Sequence, residues 1–130
     1  MKLVIDTSAV LAVLLNEANK QEIIKKTEHF DLISPVSLDA EIGNALSAMR
    51  KRDRVSLDQA MMVIEQFSEI PIRRTRLRII ESLEISNEYS IYAYDAYMLD
   101  CALQYRSPLL SLDQGLLNVA DEQNIEIIEV

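Results

Sequence analysis

Leu3-Val4-Ile5-Asp6-Thr7-Ser8 sets the reading of the whole chain. Three apolar residues, two of them β-branched, run into an aspartate, two hydroxyl residues and then the apolar run Ala9 to Leu15. That pattern is a short buried strand, an acid at its carboxyl end and a helix start. In an open α/β sheet the crevice beyond the carboxyl ends of the strands binds ligands, which would put Asp6 at its edge. A helix cap is the plainer role for Asp6, although Ser8 alone serves that purpose.

Pro108-Leu109-Leu110-Ser111-Leu112-Asp113 repeats the pattern: an apolar strand, a hydroxyl residue, an aspartate, then a helix from Gln114 to Glu122. Between the two copies, Asn19 to Glu28 reads as a short helix with Ile23 and Ile24 inward, and Asp31 to Ser34 as a strand closed by Pro35. Ser37 opens a long helix to about Arg52 with the stripe Leu38, Ile42, Ala45, Leu46 and Met49, and Glu41 lies on that stripe. Ser56-Leu57-Asp58-Gln59 is a capping-box signature for a helix to Phe67. Pro71-Ile72 breaks the pattern, and Thr75 to Ser86 reads as another helix with Leu77, Ile80 and Leu83 in phase. These residues, with Met61 and Met62, are assigned to the core or to a dimer face. A helix begins near Ala93 with Asp95 in its first turn and Ala96, Leu99, Ala102 and Leu103 packing, and Ile125 to Ile128 is expected as a last strand. Strands alternating with helices imply a parallel α/β sheet wound with right-handed crossovers.

A chain of 130 residues suits one domain, spanning residues 1–130, with a sizeable core. The longest apolar run is far below the ~20 residues of a membrane span and no basic segment precedes a cleavable leader, so a cytoplasmic protein without membrane association is expected. Cys101 has no second cysteine to pair with and reads as core, while His29, the single histidine, reads as a surface residue.

The net charge of −8 argues against a general nucleic-acid binder, but the charge is unevenly spread. Residues 50–78 carry eight basic and four acidic residues, a net +4, whereas the remainder carries five basic and seventeen acidic, a net −12. Such a molecule can hold a phosphate backbone on its basic side and keep an acidic centre. Arg50, Arg52, Arg73 and Arg74 are the candidates for that contact, since guanidinium groups bind phosphate bidentately. Solvated helix faces are the plainer account of the same charges.

Asp6 and Asp113 end two strands, and Glu41 and Asp95 occupy the first turns of two helices. A carboxylate on an apolar helix face, as Glu41 is, must be protonated, bound to a metal or paired, the last through a buried arginine. Asp39 lies off the stripe, and Asp100, about 140° around its helix from Asp95, is not expected to share a site with it. All four of Asp6, Glu41, Asp95 and Asp113 can converge at one edge of a parallel sheet. Four such acids repel one another and require a counter-charge. Mg²⁺ or Mn²⁺ supplies it with oxygen ligands alone, and such a site hydrolyses phosphodiesters well.

Leu3 to Ala9, Glu41 with Gly43-Asn44-Ala45-Leu46, Tyr94-Asp95-Ala96-Tyr97-Met98-Leu99, and Leu109 to Asp113 together resemble the PIN domain, specifically the VapC-type ribonuclease toxins. The resemblance covers essentially the whole chain. It implies a three-layer α/β/α fold with a central parallel sheet of four to five strands. It implies that Asp6, Glu41, Asp95 and Asp113 are the acidic quartet that binds Mg²⁺ or Mn²⁺ and activates water, with Asp6 and Asp95 as the metal ligands. Thr7 and Ser111 match hydroxyl positions behind those ligands. A homodimer is implied too, as is silencing by a VapB-type antitoxin that inserts a basic residue into the acidic pocket. Asp100 and Gly115 depart from the family pattern, Gly115 in a way that bears on how Asp113 is presented.

The leading expectation is therefore a metal-dependent endoribonuclease acting as a toxin. A housekeeping RNA-processing nuclease of the same fold and a non-catalytic module that binds a basic partner through an acidic cleft remain the alternatives. A phosphorylatable receiver is disfavoured because no lysine follows Lys51, and an Asp-x-Asp phosphatase because Ser8 stands where the second aspartate belongs.

Overall fold

A computed structural model describes residues 1–130. Four parallel strands form its centre, β1 (Lys2–Ile5), β2 (Asp31–Pro35), β3 (Ile72–Thr75) and β4 (Leu109–Leu110), in the spatial order β3-β2-β1-β4. Consecutive residues Leu3 and Val4, and Leu109 and Leu110, are all fully buried. A strand buried at successive positions is covered on both faces, which is why these stretches are unbroken apolar runs rather than alternating ones.

The chain leaves β1 through α1 (Thr7–Leu14) and α2 (Lys20–Thr27) to β2, and β2 through α3 (Leu38–Lys51) and α4 (Leu57–Glu69) to β3. It then returns through α5 (Ile79–Tyr89) and α6 (Ala93–Tyr105) to the far side of β1, where β4 precedes α7 (Gln114–Glu122). Right-handed crossovers in opposite directions put the two sets of helices on opposite faces. The contacts agree: α1 packs on α2, α3 and α4, while α6 packs on β1, β2, α5 and α7. The result is the expected three-layer arrangement.

The winding direction reverses between β1 and β4, and a crevice opens beyond the carboxyl ends of strands at such a point. Asp6 directly follows β1, and Asp113 follows β4 by three residues.

The capping box at Ser56 is present in both directions, Ser56 N donating to Gln59 and Gln59 N to Ser56. Elsewhere the pattern reading needs correction. Ile72–Thr75 is a strand, not a break, because β2 pairs with it along the sheet edge. The following helix starts at Ile79 and turns Ser82 and Ile85 inward, leaving Ile80 72% and Leu83 55% exposed. Ile24, Met61 and Met62 are likewise exposed rather than core, and Leu103 is partly so. Residues 125–128 contribute a single bridge, Leu109 to Ile127, instead of a full strand. Cys101 is buried and the His29 side chain 90% exposed, both as read from the sequence. No helix is long and apolar enough to cross a membrane.

Candidate functional site

Asp6 is both the buried strand-end acid and the N-cap of α1. Its Oδ1 accepts from Ala9 N at 3.0 Å and from Ser8 Oγ at 2.7 Å, and its Oδ2 accepts from Ser111 Oγ at 2.5 Å. Ser8 is therefore not the cap. It bridges the two copies of the motif, donating to Asp6 and accepting from Leu112 N at 2.9 Å. Ser111 Oγ in turn accepts from Asp113 N at 3.0 Å.

Glu41 sits one turn into α3, half-buried, with no arginine beside it. Thr7 Oγ1 donates to its Oε1 at 3.0 Å and Ser37 Oγ to its Oε2 at 3.2 Å. The buried ion pair considered for Glu41 is not formed; Arg74 instead donates bidentately at 2.9 Å to the neighbouring, exposed Asp39. Asp113 is the N-cap of α7, accepting from Leu116 N at 3.3 Å. A Cβ on Gly115 would come within 3.3 Å of Asp113 Oδ1, so the glycine leaves the carboxylate room in this position. Asp95 lies in the first turn of α6, where burial and the charge of Asp113 act on it.

All four acids thus stand at helix N-termini, where the helix dipole favours negative charge. That is not enough to keep Asp6, Glu41 and Asp95 ordinary carboxylates. Burial pushes Asp6 up, against its three hydrogen bonds, and the charge of Asp113 adds to the effect. Burial pushes Glu41 up to about 7 despite Thr7 and Ser37, with further help from Asp6 and Asp95. Burial and Asp113 raise Asp95. The charge of Asp113 thus acts on Asp6 and Asp95, and the charges of Asp6 and Asp95 act on Glu41, so the four acids are linked in one electrostatic ring.

An oxygen-only donor set without imidazole or thiolate suits a hard divalent ion such as Mg²⁺ or Mn²⁺. No three of these side chains, however, are drawn together closely enough to hold a metal by themselves. The arrangement fits an ion held by one or two carboxylates that keeps several of its waters, as Mg²⁺ does.

The basic candidates lie elsewhere. Arg50 and Arg52 are exposed at the far end of α3, with Arg50 about 13 Å along the helix axis from Glu41 at 1.5 Å per residue. Arg73 lines a cavity with Lys2 and Asp31 at the amino ends of the strands, opposite the acids. Arg74 is held by Asp39 and stacks over Phe67, its guanidinium 5.0 Å from the ring centroid. Asp100, buried and separate from Asp95 as expected, is paired bidentately with Arg78. Sequence reasoning missed Ser37 as a partner of Glu41, and its place four residues earlier on the same helix was the available signal.

The family model of the PIN domain matches residues 3–122. The chain belongs to the PIN domain family. Among solved structures, this PIN domain is similar to PAE2754 from Pyrobaculum aerophilum, with 22% identity and a TM-score of 0.73 over 98% of this chain and 83% of that one. It is similar to VapBC2 from Rickettsia felis, bound to a DNA fragment from its promoter, with 11% identity and a TM-score of 0.72 over 98% of each chain. It is also similar to VapC20 of Mycobacterium tuberculosis, a sarcin-ricin-loop-cleaving toxin, with 9% identity and a TM-score of 0.62 over 89% of this chain and 93% of that one. At these identities the likeness is one of fold. No curated protein matches the sequence of this PIN domain.

Proposed function

We propose that this PIN domain is a metal-dependent endoribonuclease, the toxin of a VapC-type toxin–antitoxin pair acting in the cytoplasm. The observation that carries the proposal is the ring of Asp6, Glu41, Asp95 and Asp113 at the topological switch point, each acid from a different element and none with a cationic partner. In this reading Asp6 and Asp95 hold Mg²⁺ or Mn²⁺, and Glu41 and Asp113 complete the site. The ion would lower the pKa of a bound water and neutralise charge on the attacked phosphate.

The chain's own groups do the rest. Ser8, Ser111 and Ala9 N fix the Asp6 carboxylate, so its orientation costs no reorganisation during reaction. Glu41, oriented by Thr7 and Ser37 and pushed to about 7, is matched to take a proton at a carboxylate oxygen from an attacking water. Arg50 and Arg52, both exposed, are the proposed phosphate contacts; Arg74 must first leave Asp39, and Arg73, at the opposite end of the sheet from the acids, would meet only RNA that extends around the molecule. The similarity to VapBC2 supports a VapB-type protein antitoxin as partner. The apolar residues exposed on α4, Met61 and Met62, and separately those on α5, Ile80 and Leu83, are surfaces that a homodimer would cover. Sedimentation as a monomer at micromolar concentration would overturn that part.

The test is cleavage of a mixed RNA pool with Mg²⁺, with Mn²⁺ and with chelator, by the wild type and Asp6→Asn side by side. Metal-dependent cleavage lost in the variant is the expected result. The four acids, none of them in a salt bridge, also suit one second reading, an acidic module that binds an arginine-bearing partner. Tight binding of such a peptide with no cleavage under any metal would favour it.

A further inference from the structure

Next to Glu41 lies a cavity of about 370 Å³ between α3, the start of α1 and the first turn of α6, walled by Thr7, Ala40, Glu41, Asn44 and Tyr94. Its lining differs from that of the acidic ring: one aromatic ring, one amide, one hydroxyl, one methyl and a single carboxylate. Tyr94 is 52% exposed, and Tyr92, two residues earlier, is 86% exposed. The chain has only five tyrosines and no tryptophan, yet Tyr92, Tyr94 and Tyr97 cluster around Asp95. Core packing does not account for rings left this open to water. The Tyr94 ring is held by Tyr97, one turn on, in an edge-to-face contact with centroids 6.1 Å apart and planes at 76°. A braced, exposed ring beside a cavity is a preformed stacking surface.

We propose that this cavity is a subsite for one unpaired nucleobase of the RNA, stacked on Tyr94 with its edge toward the Asn44 amide. A neutral base is admitted beside Glu41 where a phosphate would be repelled, and stacking is available to any base through its π-face. The amide offers both a donor and an acceptor, which matches the edges that unpaired bases display. Ala40, with no more than a methyl group, leaves room for the ring. Asn44 and Ala40 are one turn apart on α3 and flank Glu41, so a seated base fixes the register of the strand against the carboxylates. The inference rests on the nuclease reading and adds the class of ligand that orients its substrate.

The test uses the full chain and a single-stranded RNA 20-mer of mixed sequence labelled with fluorescein. Affinity is measured by anisotropy in magnesium on an Asp6→Asn background, so the RNA stays intact, with Tyr94 native, Tyr94→Phe or Tyr94→Leu. Tyr94→Leu keeps an apolar side chain and removes the π-face. Its binding is expected to be about tenfold weaker, with Tyr94→Phe close to native. Tyrosine emission, undiluted by any tryptophan, is expected to be quenched by the RNA more in the native form than in the Phe and Leu forms, which both lack the Tyr94 phenol. Circular dichroism verifies that all three fold alike, and if Tyr94→Leu does not, Asn44→Ala with an unchanged quench but weaker binding serves instead. Equal affinity of all three for the 20-mer overturns the proposal, as does an arginine-rich peptide showing the Tyr94 dependence while RNA does not. Separately, wild-type cleavage of the same RNA tests the nuclease reading: Tyr94-dependent binding without any cleavage leaves the subsite standing and removes the nuclease.

Discussion

Ser111 Oγ lies 2.5 Å from Asp6 Oδ2, a hydrogen bond that spans 105 residues of sequence and ties the ends of the neighbouring strands β1 and β4 into one unit. The same hydroxyl accepts from Asp113 N, so a single side chain orients the acid of the first motif and the backbone that carries the acid of the second.

Ser111→Ala should therefore destabilise the protein by about 1–3 kcal/mol, the range for leaving a buried polar group without its partner. The urea midpoint reads this directly. A midpoint unchanged from wild type would contradict the role given to Ser111.

Glu41 gives the metal-free protein an inverted acid dependence. Its folded pKa, about 7, lies above the usual 4.5, so the folded state binds the extra proton more tightly than the unfolded chain does. Glu41 is then least costly below pH 4.5, and stability is lost as pH rises through about 7. Because the group is half-buried, solvent screening limits the loss to about 1–2 kcal/mol. Glu41→Gln should flatten the profile of melting temperature between pH 4.5 and 7, and an equally steep profile in the variant would contradict this cause.

A divalent ion should reverse that cost. At pH 7.5 and a hundredfold excess over its dissociation constant, Mg²⁺ is expected to stabilise the wild type by about 2.7 kcal/mol, read as a rise in Tm. Asp95→Asn should abolish most of the rise. An identical rise in both proteins would place the ion outside the acidic ring.

The two arginine–aspartate pairs should differ in weight. Asp100 has a side chain only 5% exposed, so Arg78→Ala leaves its charge buried and uncompensated at a cost of about 3 kcal/mol, the low end for buried pairs because Arg78 itself is 38% exposed. Asp39 is 54% exposed, and Asp39→Ala should cost no more than about 1 kcal/mol. Equal costs in thermal or urea unfolding would refute the distinction.

The site was more legible in the sequence than the edges of the fold were. Asp6 and Asp113 could be read because each ends an uninterrupted apolar run, the mark of a strand buried on both faces. Glu41 could be read because it breaks an otherwise apolar helical stripe. The strand Ile72–Thr75 has two arginines among its four residues and lies at the edge of the sheet, so it carries no apolar run to find. In α5 the apolar spacing of Ile80 and Leu83 suggested an inward face, but Ser82 and Ile85 are buried instead. Period alone does not say which side of a helix meets the core when both sides carry isoleucine or leucine. Ser8 was misassigned as the cap because cap propensity sees only local backbone, whereas its acceptor role toward Leu112 N depends on a strand a hundred residues away.

The most direct test of the central claim is the rate of metal-dependent cleavage of a mixed RNA pool by Asp95→Asn against wild type. Asparagine has nearly the shape of aspartate, so this substitution removes the charge of Asp95, which acts on Glu41 and is acted on by Asp113, while leaving the local packing in place. The account predicts a fall of about 10²-fold or more with unchanged circular dichroism. A variant that cleaves as fast as wild type in Mg²⁺ or Mn²⁺ would contradict it.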